Sequence, residues 1–272
     1  MKVSLRFWVK LCAVSLLAAF PQVQAAPVIL GANESPPYWS ESLPGNGMCG
    51  EILHALSRAG GIQSQLVFKP LQRLIEDDSN NDLGNPVLYM PYQEFAVIIP
   101  IAVYRAAFYY YKPHHQETPS IRGVEDLADL RIGILQGTLL DRAYFKRLGI
   151  KFEESHSQQS LFKKLRLGRL DLVIEIDQVG EAVIQKLFPA EADAFGAVPL
   201  EHSASPIAIM LAEQQSGGAA IAADYRRGLN RIIEDGTYQE ILERYYTPDQ
   251  LPADWRQQLQ RFTRLYDFES GD

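Results

Sequence analysis

The sequence predicts an α/β protein of two lobes, each a mainly parallel sheet flanked by helices, joined by a two-strand hinge. Three observations predict it. Over residues 131–187, short apolar runs of strand length alternate with amphipathic stretches of helical length, the pattern of parallel strands covered on both faces. A similar unit lies at 28–68, and the apolar segment 206–211 returns to it with two closing helices. A loop, Pro113–Pro119, separates the two sets.

The first residues predict export. Lys2, Arg6 and Lys10 precede the apolar run Leu11–Phe20, and Val23-Gln24-Ala25 supplies small residues at a cleavage site, so residues 1–25 read as a signal peptide and the mature chain starts near Ala26 in the periplasm. The run is about half the ~20 residues a membrane-spanning helix needs. Cys12 lies in no lipoprotein box and leaves with the signal, so Cys49 has no partner for an internal disulfide. Removing three cations and no acid takes the formal charge from −7 to about −10, which repels nucleic acid. With 47% hydrophobic residues among 272, there is ample material for packed cores.

In chain order, Val28–Ala32 reads as a buried strand, and the prolines of Asn33-Glu34-Ser35-Pro36-Pro37-Tyr38-Trp39 forbid helix after it. A helix from Gly50 carries Ile52, Leu53, Leu56 and Ala59 at helical spacing and stops at Gly60-Gly61, before a strand at Gln65–Phe68. Glu76–Asp82 is polar and turn-rich. Val87–Met90 and Phe95–Ile101 read as strands, and Ala107–Lys112 as an extended segment. Beyond the loop come a strand at Arg131–Leu135, a helix at Leu139–Leu148, a strand at Lys151–Glu154, a helix at Gln158–Leu167, a strand at Leu170–Ile176 and a helix at Val179–Leu187. Pro206–Leu211 is one more strand and Tyr225–Glu234 a helix, and Thr237-Tyr238-Gln239-Glu240 is a capping box for a last helix to Tyr245. The expected division is 26–107 and 205–246 for the first lobe, 114–200 for the second and 247–272 for a partly helical tail.

At this level the chain resembles the family 3 solute-binding proteins, the amino-acid-binding relatives of the type II periplasmic binding fold. The resemblance rests on Ser35-Pro36-Pro37-Tyr38-Trp39 with Gly47 and Gly50-Glu51-Ile52, on Lys69-Pro70-Leu71-Gln72-Arg73-Leu74, on Leu130–Thr138, on Leu167–Glu175 and on Leu229–Tyr238. It implies a small polar ligand held between the lobes, a monomer, and an inner-membrane transporter or sensor as receiver. The family's Thr-Pro-Glu-Arg-like turn, whose arginine grips a ligand carboxylate, is here Pro91-Tyr92-Gln93-Glu94-Phe95. Phe95 stands at the arginine, and the usual Gly-x-x-Asp segment is blurred into Asn81-Asp82-Leu83-Gly84-Asn85. A guanidinium fork is hard to replace, which argues against an ordinary α-amino acid as ligand.

Seven residues are candidates for ligand contact. Gly137 and Thr138 place backbone N–H groups and a hydroxyl at a helix start, an anion site or simply a cap. Glu175 and Asp177 stand at a strand's carboxyl end, where open α/β sheets bind ligands; Glu175 aligns better with the family, and a solvated strand end is the other reading. Tyr38 and Trp39 form either a stacking wall or core packing. Arg105 either supplies the lost positive charge or reaches to solvent. No cofactor or metal is expected: His114-His115 lacks ligand spacing, and no phosphate loop, nucleophile elbow or His-Glu-x-x-His helix occurs. A binder rather than an enzyme is therefore expected. Two alternatives stay open, a degenerate module acting through protein partners and a dehydratase-like enzyme with Glu175 as general acid.

Overall fold

The computed structural model describes residues 26–77, 79–135, 146–200, 203–246 and 251–269. Within them, two five-stranded sheets form. The first holds β1 (Val28–Ala32), β2 (Ser64–Phe68), β3 (Asn81–Gly84), β4 (Phe95–Tyr104) and β10 (Ser205–Ala212), in the order β2-β1-β3-β10-β4. Here β1 runs parallel to β2 and β3, and β10 runs antiparallel to β3 and β4. The second sheet, β7-β6-β8-β5-β9, holds β5 (Ala106–Tyr111), β6 (Ile132–Leu135), β7 (Phe152–Ser155), β8 (Leu172–Ile176) and β9 (Phe195–Pro199). Its β6 is parallel to β7 and β8, and β5 is antiparallel to both its neighbours. Both sheets are thus mixed, because in each the strand by which the chain arrives from the other lobe, β10 in the first and β5 in the second, runs against the rest.

Alternation along the strands gives each sheet two buried faces. In the first lobe Leu30, Ile99, Ile101, Ile207, Ile209 and Leu211 face α1 (Gly47–Gly60), α6 (Gly218–Glu234) and α7 (Thr237–Tyr245). The intervening Ile98, Ala208 and Met210 face Leu74 of α2 (Leu71–Ile75), Tyr89 of α3 (Pro86–Tyr89) and Tyr266 of α8 (Trp255–Glu269). In the second lobe Tyr109 and Val173 pack with Leu161, Phe162 and Leu165 of α4 (Gln158–Arg166) and Ile184 of α5 (Asp177–Leu187), while Phe108, Tyr110, Ile132 and Ile174 line the opposite face. Helices α1 and α6 touch backbone to backbone: a Cβ on Gly228 would lie 1.9 Å from the Leu56 carbonyl oxygen, so only glycine permits this approach.

Several expectations are corrected. The strand expected at Val87–Met90 is displaced to Asn81–Gly84, whose four residues are all buried between β1 and β10. Residues Pro86–Tyr89 form α3 instead, because the Asn85 side chain accepts the Val87 N–H (3.0 Å) and Pro86 starts the helix. The crossing falls at Arg105, the one residue between β4 and β5, so 106–111 belong to the second sheet rather than to a boundary after 107. Phe195–Pro199, left unassigned by pattern, is β9. The capping box does not form: Thr237 is the first residue of α7, and Asp235 accepts its N–H (2.9 Å). The helix expected in the tail is present as α8, but it is packed rather than a free tail, with Leu259 in one core and Tyr266 in the other, so it covers the outer strand β4. Gly137, Thr138 and most of the Leu139–Leu148 helix lie outside the described residues.

One buried acid sets a pH dependence. Asp82 of β3 is fully buried, its Oδ1 has no partner, and Gln93 donates only a long 3.4 Å hydrogen bond to Oδ2. Burial raises its pKa to about 7, against the smaller opposing effects of Gln93 and Lys69. Because the folded pKa lies above the unfolded value of about 3.9, the stability that neutral Asp82 contributes is full below about pH 4 and is lost as pH rises through 7. Asp82→Asn removes that loss. In thermal melts the variant is expected to be more stable than the parent by roughly 2 to 4 kcal/mol at pH 8 and about equal to it at pH 4.

Candidate ligand-binding cleft

The carboxyl end of β1 in one sheet meets that of β8 in the other. The contact that shows this joins the loop after β1 to the end of β8: the Tyr38 hydroxyl donates to Asp177 Oδ1 at 2.5 Å. The Ser35-Pro36-Pro37 turn, with a cis Pro36–Pro37 bond and backbone bonds pairing Ser35 with Trp39, directs Tyr38 inward. The Tyr38 ring packs against Trp39 and Tyr104, with centroids 6.2 and 6.1 Å away, and its hydroxyl also lies 3.3 Å from that of Tyr246. Tyr104 in turn receives a hydrogen bond from Asn85. Tyr38 and Trp39 are both buried core residues here, and Trp39 Nε1 is buried with no acceptor.

On the second lobe Asp177 opens α5. Its Oδ1 also accepts the Gln178 N–H (2.7 Å), and its own N–H donates to the Arg105 carbonyl (2.9 Å). Burial still raises the Asp177 pKa, outweighing the Tyr38 and Gln178 hydrogen bonds and the charge of Arg105. Two residues earlier, within β8, Glu175 is 8% exposed. Its Oε1 accepts the Ile176 N–H at 2.9 Å, and its Oε2 is buried with no partner. Burial lifts its pKa to about 7, opposed by the Ile176 N–H and by Gln158 at the start of α4. Arg105 is salt-bridged to Asp254, just before α8, rather than reaching freely to solvent. A recess of about 20 Å³, bordered by Arg105, Asp177, Tyr246 and Trp255, lies beside this junction.

The structure brings Tyr38, Asp177 and Arg105 together and sets Glu175 at the same strand end. Glu181, one turn into α5, was missed by sequence reasoning. Burial raises its pKa, and Asp177 adds to the effect. The i, i+4 spacing from Asp177 was the signal that could have found it. In the first lobe, Phe95 packs edge-on against Tyr89 (6.3 Å) and Gln93 is buried against Asp82, so this turn points inward. His114 and His115 are occupied structurally: His114 Nε2 meets the Arg166 carbonyl at 3.0 Å, and the His115 ring sits edge-on to Tyr110. Among the described residues, no three His, Cys, Asp or Glu side chains converge closely enough to hold a metal ion.

Two lobes built this way are the type II periplasmic binding fold, and solved structures share it. A histidine kinase sensor domain with similarity to periplasmic binding proteins superimposes with a TM-score of 0.60 at 15% identity, covering 81% of this chain and 96% of the other. The GluR0 ligand-binding core from Nostoc punctiforme, in complex with L-glutamate, gives 0.57 at 17% identity, covering 82% and 100%. The arginine-, lysine-, histidine-binding protein ArtJ from Geobacillus stearothermophilus gives 0.57 at 15% identity, covering 86% and 100%. No family model matches the chain, and no curated protein matches it in sequence.

The Tyr38–Asp177 bond makes a specific prediction. Tyr38→Phe keeps the ring in the core and removes one charge-assisted hydrogen bond, worth about 1.5 to 3 kcal/mol. Small-angle scattering of the variant is expected to show a larger radius of gyration than the parent, because a bond that joins the two lobes is gone.

Proposed function

We propose that this chain is an exported solute-binding protein whose lobes close around a small polar ligand and present the closed form to an inner-membrane transporter or sensor. The observation that carries this reading is the Tyr38–Asp177 hydrogen bond, made by the facing strand ends of two separate sheets. The bond joins the two lobes beside the crossing at Arg105, and a ligand that contacts both strand ends favours the closed form to the extent that it does so. The solved structures of the same fold support a binding role: the printed descriptions of two name amino acids, and that of a third a kinase sensor domain. An ordinary α-amino acid is the wrong ligand, since Phe95 and Gln93 offer its carboxylate no positive charge.

Export is checked by N-terminal sequencing of protein recovered from the periplasm, which is expected to begin near Ala26. Binding is checked by a thermal-shift screen of amino acids, polyamines, sugars and carboxylates. A true ligand at 100 times its dissociation constant is expected to stabilise the protein by ~2.7 kcal/mol. It is also expected to reduce the radius of gyration of the Tyr38→Phe variant. Stabilisation with no compaction would show that the ligand sits elsewhere.

A further inference from the structure

The crossing between the lobes is held by a segment from the far end of the chain. Arg105 is the sole residue between β4 and β5, and it is gripped at two points. Its carbonyl accepts the N–H of Asp177 on the second lobe (2.9 Å), and its guanidinium pairs with Asp254, 149 residues away. Asp254 divides its carboxylate: Oδ1 takes Arg105, and Oδ2 accepts from the Gln258 side chain (2.9 Å). The Gln258 N–H also donates to the Asp254 carbonyl (3.0 Å), so Asp254 joins the crossing to the first turn of α8.

That helix start is fixed to the first lobe. Trp255 stacks on Tyr238 of α7, with centroids 4.8 Å apart and planes at 18°, and the Tyr238 hydroxyl donates to the Ile101 carbonyl of β4 (2.8 Å). Leu251 and Trp255 pack against the first lobe's core, and Leu259 is buried in it. Where the segment meets the crossing there is only the recess of about 20 Å³, bordered by Leu251, Pro252, Trp255 and Gln258 and, on the hinge side, by Arg105 and the second lobe's Asp177. Residues 251–258 are thus anchored on one lobe, tied to the crossing and set against the other lobe. Because the Arg105 carbonyl is bonded to Asp177, a rotation that parts the lobes draws Arg105 along with the second lobe, while Asp254 stays with the first. The lobes cannot separate at this point without breaking either the carbonyl bond or the ion pair.

We propose that residues 251–258 form a strap across the hinge, whose Asp254–Arg105 ion pair holds the lobes together without ligand and yields when they part. The proposal rests on the reading of moving lobes above and adds the element that governs the motion. The pair is only part-exposed, but an interaction of this kind moves a two-state balance by a few-fold rather than locking it, which leaves the lobes free to open.

The test is small-angle scattering of the mature protein without added ligand. Arg105→Met, Asp254→Asn and the two together are each made in the parent and in Tyr38→Phe, where the direct lobe-to-lobe bond is already gone. Each single substitution is expected to shift the balance of open to closed about two- to fivefold, and so to enlarge the radius of gyration in at least one background. The pair of substitutions is expected to have no more effect than either alone, because both remove the same interaction. Arg105→Met leaves Asp254 in place before α8. Enlargement by Asp254→Asn alone, with Arg105→Met unchanged in both backgrounds, therefore assigns Asp254 to the helix and overturns the strap. Effects that add in the combined variant overturn it as well. So does the absence of enlargement in both backgrounds: if Tyr38→Phe is itself larger than the parent, the moving lobes stand and the strap alone falls, and if it is not, both fall.

Discussion

Only Arg105 separates β4 from β5, so the last residue of one sheet's outer strand and the first of the other's antiparallel strand are held a single residue apart. That constraint fixes how the sheets meet. The Arg105 carbonyl accepts the Asp177 N–H, which ties the end of β8 to the crossing, and the Arg105 guanidinium is held by Asp254, which ties α8 to it as well. The return crossing is fastened at the same point, where Ala106 donates to Ser203 Oγ (3.0 Å) and accepts from Leu200 N–H (3.0 Å). Movement between the lobes must therefore pivot on a few backbone torsions at and around Arg105 and at the return crossing held by Ser203, and the strand ends on either side swing about them.

The cleft contact and the crossing are coupled through Asp177. Its N–H belongs to the crossing, its carbonyl oxygen to Tyr109 and its carboxylate to Tyr38. Burial nonetheless raises its pKa, which means that the two hydrogen bonds to its carboxylate, from Tyr38 and Gln178, and a nearby guanidinium do not fully replace the water it lost. Glu175 and Glu181 are in the same condition with fewer donors. A fold selected for stability alone would place apolar or amide groups here. Costs of this kind cluster at functional sites, although structural ion networks carry them too.

Much of the architecture was legible in the sequence because both lobes are built from buried parallel strands and amphipathic helices with strong periodicity. Leu170–Ile176 and Gln158–Leu167 are found within two residues of where pattern placed them. The misreading at 81–84 comes from polar residues satisfied by tertiary partners, and that at 86–89 from a local helix start. Asn81 and Asp82 look like a turn, but Asn81 bonds Gln215 (2.8 Å) and the Ala212 N–H (3.0 Å), and in that company it fills a central strand. Val87–Tyr89 looks like a strand until Asn85 and Pro86 are recognised as a helix start. Among the site residues, Glu175 and Asp177 were legible from their position at a strand end. The pairing of Tyr38 with Asp177, 139 residues apart, and of Arg105 with Asp254, 149 apart, was not, because nothing local encodes which long side chains meet.

The loss of the family's arginine also has a structural counterpart that a single substitution would not reverse. Phe95 begins β4 and packs with Tyr89 on the face toward α2, α3 and α8, so an arginine placed there would enter an apolar core rather than the cleft. Gln93 is turned to the buried Asp82, and Tyr89 OH, Gln93 Oε1 and Asp82 Oδ1 all lack partners among the described residues. The turn that holds a ligand carboxylate in the family here serves to shield an acid of its own lobe. With that turn facing inward, each lobe keeps a buried acid of its own, Asp82 in the first and Glu175 in the second, and Tyr38 is the first-lobe side chain that reaches across to Asp177.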